Sequence, residues 1–263
     1  MELVAIILSG LLTLISPLGV VLDSVAEKSI RSQLYSAEQL EVRVDNVPSY
    51  QYLQGKIERV RFAGRGLYLT PDFRIDTLEI ETDPIDIDLE RLNREGQNIP
   101  QFLRQPARGA MRLAIVEEDI NQTLRSPAIL EQLGQIGPNL AEGSETSERL
   151  AQRYRPINPR IEFLENNRLR FQIEIEDRRD GGTLRIRAES GLEVVSGRKL
   201  QLVEPIVMLN EKQAPTKLVN RIAKNLSDRL DLGSLDDRGL QARILQLNIT
   251  PERLEIVAFA RIE

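Results

Sequence analysis

From Arg168 to Glu176 the chain alternates without a break: Leu169, Phe171, Ile173 and Ile175 are apolar, while Arg168, Arg170, Gln172, Glu174 and Glu176 are polar. A period of two scatters around a helix, but on an extended strand it gathers the apolar side chains on one face and the charges on the other. The segment therefore demands a sheet with one face against apolar matter and the other in water. The same alternation returns at Leu40, Val42 and Val44, and at Met111, Leu113 and Ile115. It closes the chain as a hairpin-like pair, Leu245, Leu247 and Ile249 followed by Leu254, Ile256, Ala258, Ala260 and Ile262. Asn166-Asn167 and Asp180-Gly181-Gly182 bracket the central strand as turns, and Pro205 marks a break or bulge in the strand that follows.

Elsewhere the spacing widens to that of helices. Leu218, Ile222, Leu226 and Leu230 recur every fourth residue with Val219 beside them; Pro215 suits the first turn and Gly233 follows the end. Ile120, Leu124, Leu130 and Leu133 form a second helical stretch, interrupted at Ser126-Pro127. Residues 135–156 are poor in apolar side chains and read as a flexible loop. Half-apolar strands and amphipathic helices cover one another's faces. The expected fold is α+β, a curved antiparallel sheet wrapped around long helices, with residues 25–263 as one domain.

Leu3 to Leu22 carries no charge, and at ~1.5 Å per residue such a stretch spans a ~30 Å hydrocarbon layer. The reading is an N-terminal apolar helix over residues 1–24 that contacts a membrane through residues 3–22. A cleaved signal peptide, with Ser24-Val25-Ala26 as its small-residue site, and a helix sheltered by the protein itself are the alternatives. Glu2 precedes the span where a signal peptide carries Lys or Arg. The expected localisation is membrane-associated, single-pass or exported, with the side of the membrane left open. The pattern then becomes amphipathic, with Ala26, Ile30 and Leu34 among Glu27, Lys28 and Arg31.

The chain has no Cys and no His, which removes thiol chemistry, Cys-ligated metal and the commonest acid/base group near neutral pH. A formal charge of -5 argues against nucleic acid as partner. There is no nucleophile elbow, phosphate loop or dinucleotide fingerprint, so neither enzyme activity nor a cofactor is expected, and no metal site.

The apolar leader flowing into DSVAEKSIRSQL, then LEVRVDNVPSYQYLQGKIERVRFAGRGL, LEIETDPIDIDL and MRLAIVEEDINQTL, resembles the LmeA-like phospholipid-binding family, particularly its cyanobacterial branch. Ala26, Glu27, Ile30, Leu34, Pro48, Gly55, Gly64, Pro84, Ile87 and Leu89 carry the match as scaffold positions. The resemblance implies a tubular lipid-binding-like domain with an elongated apolar groove and phospholipid or a related acyl lipid as partner. Periodicity alone reads Leu169, Phe171, Ile173 and Ile175, and Leu218, Ile222 and Leu226, as ordinary core; the resemblance makes them candidates for a lipid-facing wall. Arg168, Arg170, Arg185 and Arg187 are candidates for headgroup contact, because guanidinium matches phosphate oxygens through paired donors. The expected function is binding and transfer of phospholipid in envelope or thylakoid lipid maintenance. The alternative is a membrane-anchored structural or protein-interaction module with a filled core.

Overall fold

The structure is a computed structural model of the chain and describes residues 22–45, 51, 54–88, 103–139 and 153–263. Helix α1 (Leu22–Gln33) leads into strand β1 (Ser36–Asp45). There follow β2 (Lys56–Ile57), β3 (Arg59–Thr70), β4 (Phe73–Thr82), β5 (Ile85–Asp86) and β6 (Ala107–Val116). Two helices come next, α2 (Glu117–Leu124) and α3 (Pro127–Asn139). Then come β7 (Tyr154–Leu164), β8 (Arg168–Asp177), β9 (Thr183–Val195), β10 (Lys199–Leu209) and β11 (Lys212–Gln213). Helix α4 (Thr216–Arg229) and a 3-10 helix (Leu232–Arg238) precede the closing hairpin, β12 (Leu240–Ile249) and β13 (Arg253–Ile262).

The strands form a six-stranded sheet in the order β1-β3-β4-β6-β13-β12, a five-stranded sheet β11-β10-β9-β8-β7, and the small pair β2-β5. The pairings are antiparallel. Alternation decides the faces of the first sheet. Leu40, Val42 and Val44 lie opposite Gly64, Phe62 and Val60, and this inner face is buried under Ile30 and Leu34 from the α1 region. Gly66 is required in β3: its φ is +56, and a Cβ there would fall 2.1 Å from the Glu38 carboxyl carbon. Glu38 crosses that gap to Arg74, which also takes Asp76 and, at 2.6 Å, the buried Asp119 of α2. Burial pushes the Asp119 carboxyl above its ordinary value, with Asp76 and Glu38 adding repulsion, while Arg74 opposes the shift.

A second core joins the two large sheets. Phe163 (β7), Leu192 (β9) and Ile249 (β12) are its buried centre, with Ile120, Leu169, Leu202 and Leu254 around them. The seam is stitched by turns of the second sheet reaching the free edge of β12. The Ile249 N–H donates to Asn167 Oδ1 at 2.7 Å, Asn167 Nδ2 donates to the Leu247 carbonyl at 3.5 Å, and the Ile244 N–H donates to the Gly197 carbonyl.

The single curved sheet wrapped around long helices is corrected. Three separate sheets form, and none closes or curls strongly. The physical reason is that the free edges of the large sheets are met by side chains and turns instead of by further strands. At β10 the Leu202 N–H donates to Ser227 Oγ and the Leu200 N–H to the Leu230 carbonyl, so α4 occupies that edge. At β12 Asn167 and Gly197 do the same. The helices α2, α3 and α4 have 8, 13 and 14 residues, too short for a sheet to wrap.

The membrane anchor is corrected as well. The described helix at this end, α1, has 12 residues and is amphipathic, and among the described residues no helix is long and apolar enough to cross a membrane. Of the span expected between Leu3 and Leu22, all but Leu22 lies outside the described residues. The single-pass topology, the signal-anchor and the membrane contact through residues 3–22 thus have no support in the structure. Within the expected loop 135–156, α3 continues to Asn139 and β7 begins at Tyr154; residues 140–152 lie outside the described residues.

Candidate functional site: an apolar sheet face

Register assembles the apolar face of the second sheet. In an antiparallel pair, directly opposed residues share a face. Ile175 faces Leu184, Ile173 faces Ile186, Phe171 faces Ala188 and Leu169 faces Ser190. On the β7 side, Phe163 opposes Leu169, Ile161 opposes Phe171 and Pro156 opposes Ile175. On the β10 side, Leu202 opposes Leu192, Val207 opposes Ala188 and Leu209 opposes Ile186. Four strands thus present one aliphatic plane, and from Leu169 to Ile175 it runs roughly 20 Å at ~3.3 Å per residue.

This plane is not sealed throughout. Phe163, Leu192 and Ile173 are buried, but Leu169, Phe171, Ile175 and Ile186 are only half-buried, and Leu184 is 37% exposed. Cover is complete at the seam and thins toward the β8–β9 turn. There α3 approaches, with Gly134 close enough to Pro156 that a Cβ would make ordinary contact at 3.5 Å. The inner face of β6 and β13 is left similarly half-buried at Met111, Leu113, Ile115, Leu254 and Ile256.

Helix α4 divides its apolar residues. Val219, Ala223 and Ser227 are buried toward β10, whereas Leu218 and Leu226 are 37% and 45% exposed and Ile222 is half-buried. The candidate wall residues of α4 therefore stand on a shoulder of the helix, and the contact with the sheet is made by smaller side chains. Spacing of four selected the leucines; the neighbouring line Val219–Ala223–Ser227, one small and one polar, gave no comparable signal in sequence.

The four candidate arginines lie on the other face. Arg168 and Arg170 alternate with Leu169 and Phe171, and Arg185 and Arg187 alternate with Leu184 and Ile186, so the sheet separates guanidinium groups from the apolar plane. Three of the four are already neutralised. Arg168 grips one oxygen of Glu189 at 3.1 Å and Arg170 the other at 3.0 Å, Arg170 also reaches Glu162 at 2.8 Å, and Arg185 reaches Glu174 at 3.3 Å. Burial opposes ionisation of Glu189, but the hydrogen bonds from Arg170 and Arg168 outweigh it and hold the carboxyl below its usual range. At the strand end, the Arg153 guanidinium and the Arg179 N–H hold Asp177 low. Arg187 is exposed and has no ion pair among the described residues.

Two recesses on the first sheet have a different character. One of about 470 Å³ rests on Ala63, Ala110 and Val257 beneath Arg43, Arg61 and Arg112, and one of about 670 Å³ adjoins it over Gly64 and Thr77. Their charged walls pair internally, Arg112 with Glu79 and Glu255, and Arg61 with Asp45. The larger recess is walled mainly by charged and polar side chains, whereas the smaller also reaches Phe62, Ile80 and Met111. Among the described residues no group of three or more His, Cys, Asp or Glu is placed to hold a metal ion.

Fold and surface together define an α+β protein that keeps a long aliphatic sheet face half open, a surface matched to an apolar ligand. The profile of the family described as LmeA-like phospholipid-binding matches residues 14–259. The chain belongs to that family, and with membership comes a general phospholipid-binding role in place of catalysis. No curated protein and no solved structure matches the chain.

Proposed function

We propose that the chain binds the acyl part of a phospholipid against the aliphatic plane of β8 and β9 and carries it between lipid surfaces. The observation that supports this is the uneven cover of the plane, with Ile173 and Phe163 sealed but Leu169, Phe171, Ile175 and Leu184 reachable. The tails of one leaflet occupy about half of a ~30 Å hydrocarbon layer, roughly 15 Å, and the plane is longer than that. Backbone groups along the plane are paired within the sheet, so an aliphatic guest displaces no hydrogen bond. Each methylene withdrawn from water contributes ~0.8 kcal/mol, on the order of 10 kcal/mol for a tail, whereas exchange against a bilayer interior is close to neutral. Such a surface loads and unloads without an energy source. Leu169, Phe171 and Ile175 are the proposed tail contacts, with Ile173 sealed in the same plane between them, and the cyanobacterial placement, with a part in envelope or thylakoid lipid maintenance, belongs to the same reading.

The test is native mass spectrometry of protein purified from a lipid-rich host, with uptake of labelled phospholipid from vesicles. Bound phospholipid, lost in Phe171→Asp, supports the reading. No bound lipid and no uptake would leave the alternative, a protein-interaction module that fills its own core.

A further inference from the structure

The charges of α4 are arranged unlike those of the sheets. Most arginines of the strands are answered by a carboxylate, with Arg65, Arg108, Arg160 and Arg187 forming no ion pair among the described residues, yet on α4 the same holds for all of Lys217, Arg221, Lys224 and Arg229. The helix holds one acid, Asp228, which is taken by Lys199 of β10 at 2.6 Å. A chain of formal charge -5 thus concentrates four cations on a 14-residue helix, none of them closing an ion pair among the described residues, although Lys224 feels the charge of Asp228 one turn away.

Those cations border apolar side chains that the fold leaves uncovered. At ~100° per residue, Val219, Ala223 and Ser227 define the arc turned to the sheet, and Lys217, Arg221 and Lys224 lie away from it. Leu218, Ile222 and Leu226 fill the arc between, with Arg229 among them. Leu218 is 37%, Leu226 45% and the capping Leu230 42% exposed. Leu218, Ile222 and Leu226 make a stripe that winds about 40° per step toward the exposed Leu230 at the helix end. Such a stripe, edged by Lys and Arg, is the pattern of a helix lying in the plane of a lipid surface, its apolar arc among the acyl chains and its cations at the phosphates.

We propose that α4 is a docking helix for an anionic bilayer, inserting Leu218, Ile222, Leu226 and Leu230 into the interface while Lys217, Arg221, Lys224 and Arg229 meet the headgroups. The assignment deepens the lipid-binding reading and rests on it for its purpose, since a docked α4 sets β10 and the sheet beside it next to the lipid source. Charge complementarity selects the partner: an anionic surface offers the four exposed cations a net opposite charge that a zwitterionic one lacks. The candidate wall residues of α4 are thereby reassigned from the tail-binding surface to the docking surface.

The experiment is flotation of the full chain with vesicles of pure phosphatidylcholine or of phosphatidylcholine with 30 mole per cent phosphatidylglycerol, a ratio of roughly the surface charge found in anionic leaflets. The anionic vesicles are expected to carry the protein, less so at high salt, and the neutral ones not. Each basic residue near an anionic surface is worth about five-fold in binding, so Arg221→Glu with Lys224→Glu should lower it at least about 20-fold. Leu218→Ser with Leu226→Ser should also release the protein, with circular dichroism unchanged because both side chains are exposed. Native mass spectrometry of the same variants separates the two claims: retained co-purified phospholipid alongside lost flotation supports docking by α4. Equal flotation of wild type and variants, or no flotation of the wild type, overturns it whether or not lipid is bound. So does a wild-type dimer that the leucine variant converts to monomer, which would assign the helix to a second copy.

Discussion

Asn167 holds the seam between the two large sheets, and its replacement has a magnitude that can be worked from the structure. Its Oδ1 receives the Ile249 N–H at 2.7 Å, a strong bond, while its Nδ2 reaches the Leu247 carbonyl at a marginal 3.5 Å. Ile249 is 2% exposed, so once Oδ1 is removed little water can replace it. Leaving such a donor unmet costs about 1–3 kcal/mol, and the long bond adds little. Asn167 also has φ 55, a left-handed conformation that Asn tolerates and that costs Ala about 1 kcal/mol more. Asn167→Ala is expected to lose about 2–4 kcal/mol, and Asn167→Gly, which drops the same bonds without backbone strain, about 1 kcal/mol less. Urea unfolding monitored by circular dichroism reads both, with an unchanged slope against denaturant confirming that the unfolded states are comparable. A loss under 0.5 kcal/mol in the alanine variant would show that the stitch does not join the sheets, and equal losses in both variants would refute the backbone part of the reasoning.

Other perturbations follow from the same geometry. Arg74→Met strands the buried Asp119 with Asp76 and Glu38 nearby and should destabilise by about 3–5 kcal/mol; Asp119→Asn, which removes the charge that burial already disfavours, should cost clearly less, as thermal melts would show. The depressed carboxyls Glu189 and Asp177 take up protons more readily in the unfolded chain, so their contribution is full above the ordinary carboxylate range near 4 and fades as pH falls through their lower folded values. Asp119, raised by burial, works in the opposite sense, its folded form gaining relative to the unfolded as the pH falls through its raised value. Glu189→Gln should therefore flatten the acid limb of a stability–pH profile; an unchanged limb would remove Glu189 from the account. Ser227→Ala withdraws the acceptor from the Leu202 N–H at the β10 edge and should loosen α4 by about 1 kcal/mol, visible as faster hydrogen exchange at Leu202.

Much of this was legible in the sequence because alternation and face are the same fact. The strand at Arg168–Glu176, both turns around it, the bulge at Pro205 and the closing hairpin are found where the residues placed them, and Ser126-Pro127 does separate α2 from α3. What alternation cannot reveal is which strands pair beyond their neighbours. The placement of β6 between β4 and β13 depends on contacts far apart in the chain, so one sheet was expected where two large ones stand. The side-chain stitch across the seam comes from Asn167, whose sequence signal was only that of a turn. The bulge at Asn158, with φ 54, had a proline on its far side and no pattern of its own. Sequence also placed the arginines of β8 and β9 opposite the apolar stripe, yet it could not show that Glu189, Glu162 and Glu174 claim three of them.

The central claim is that the plane through Leu169, Phe171, Ile173 and Ile175 holds an acyl tail, and the most direct measurement places a reporter within it. With Phe171→Trp in the otherwise tryptophan-free chain, titration with a phospholipid brominated along its tail should quench the indole emission in a saturable manner. A brominated headgroup analogue should leave it nearly unchanged. Equal quenching by the two, or none by the tail-brominated lipid when lipid is shown to be bound, would put the tail somewhere else.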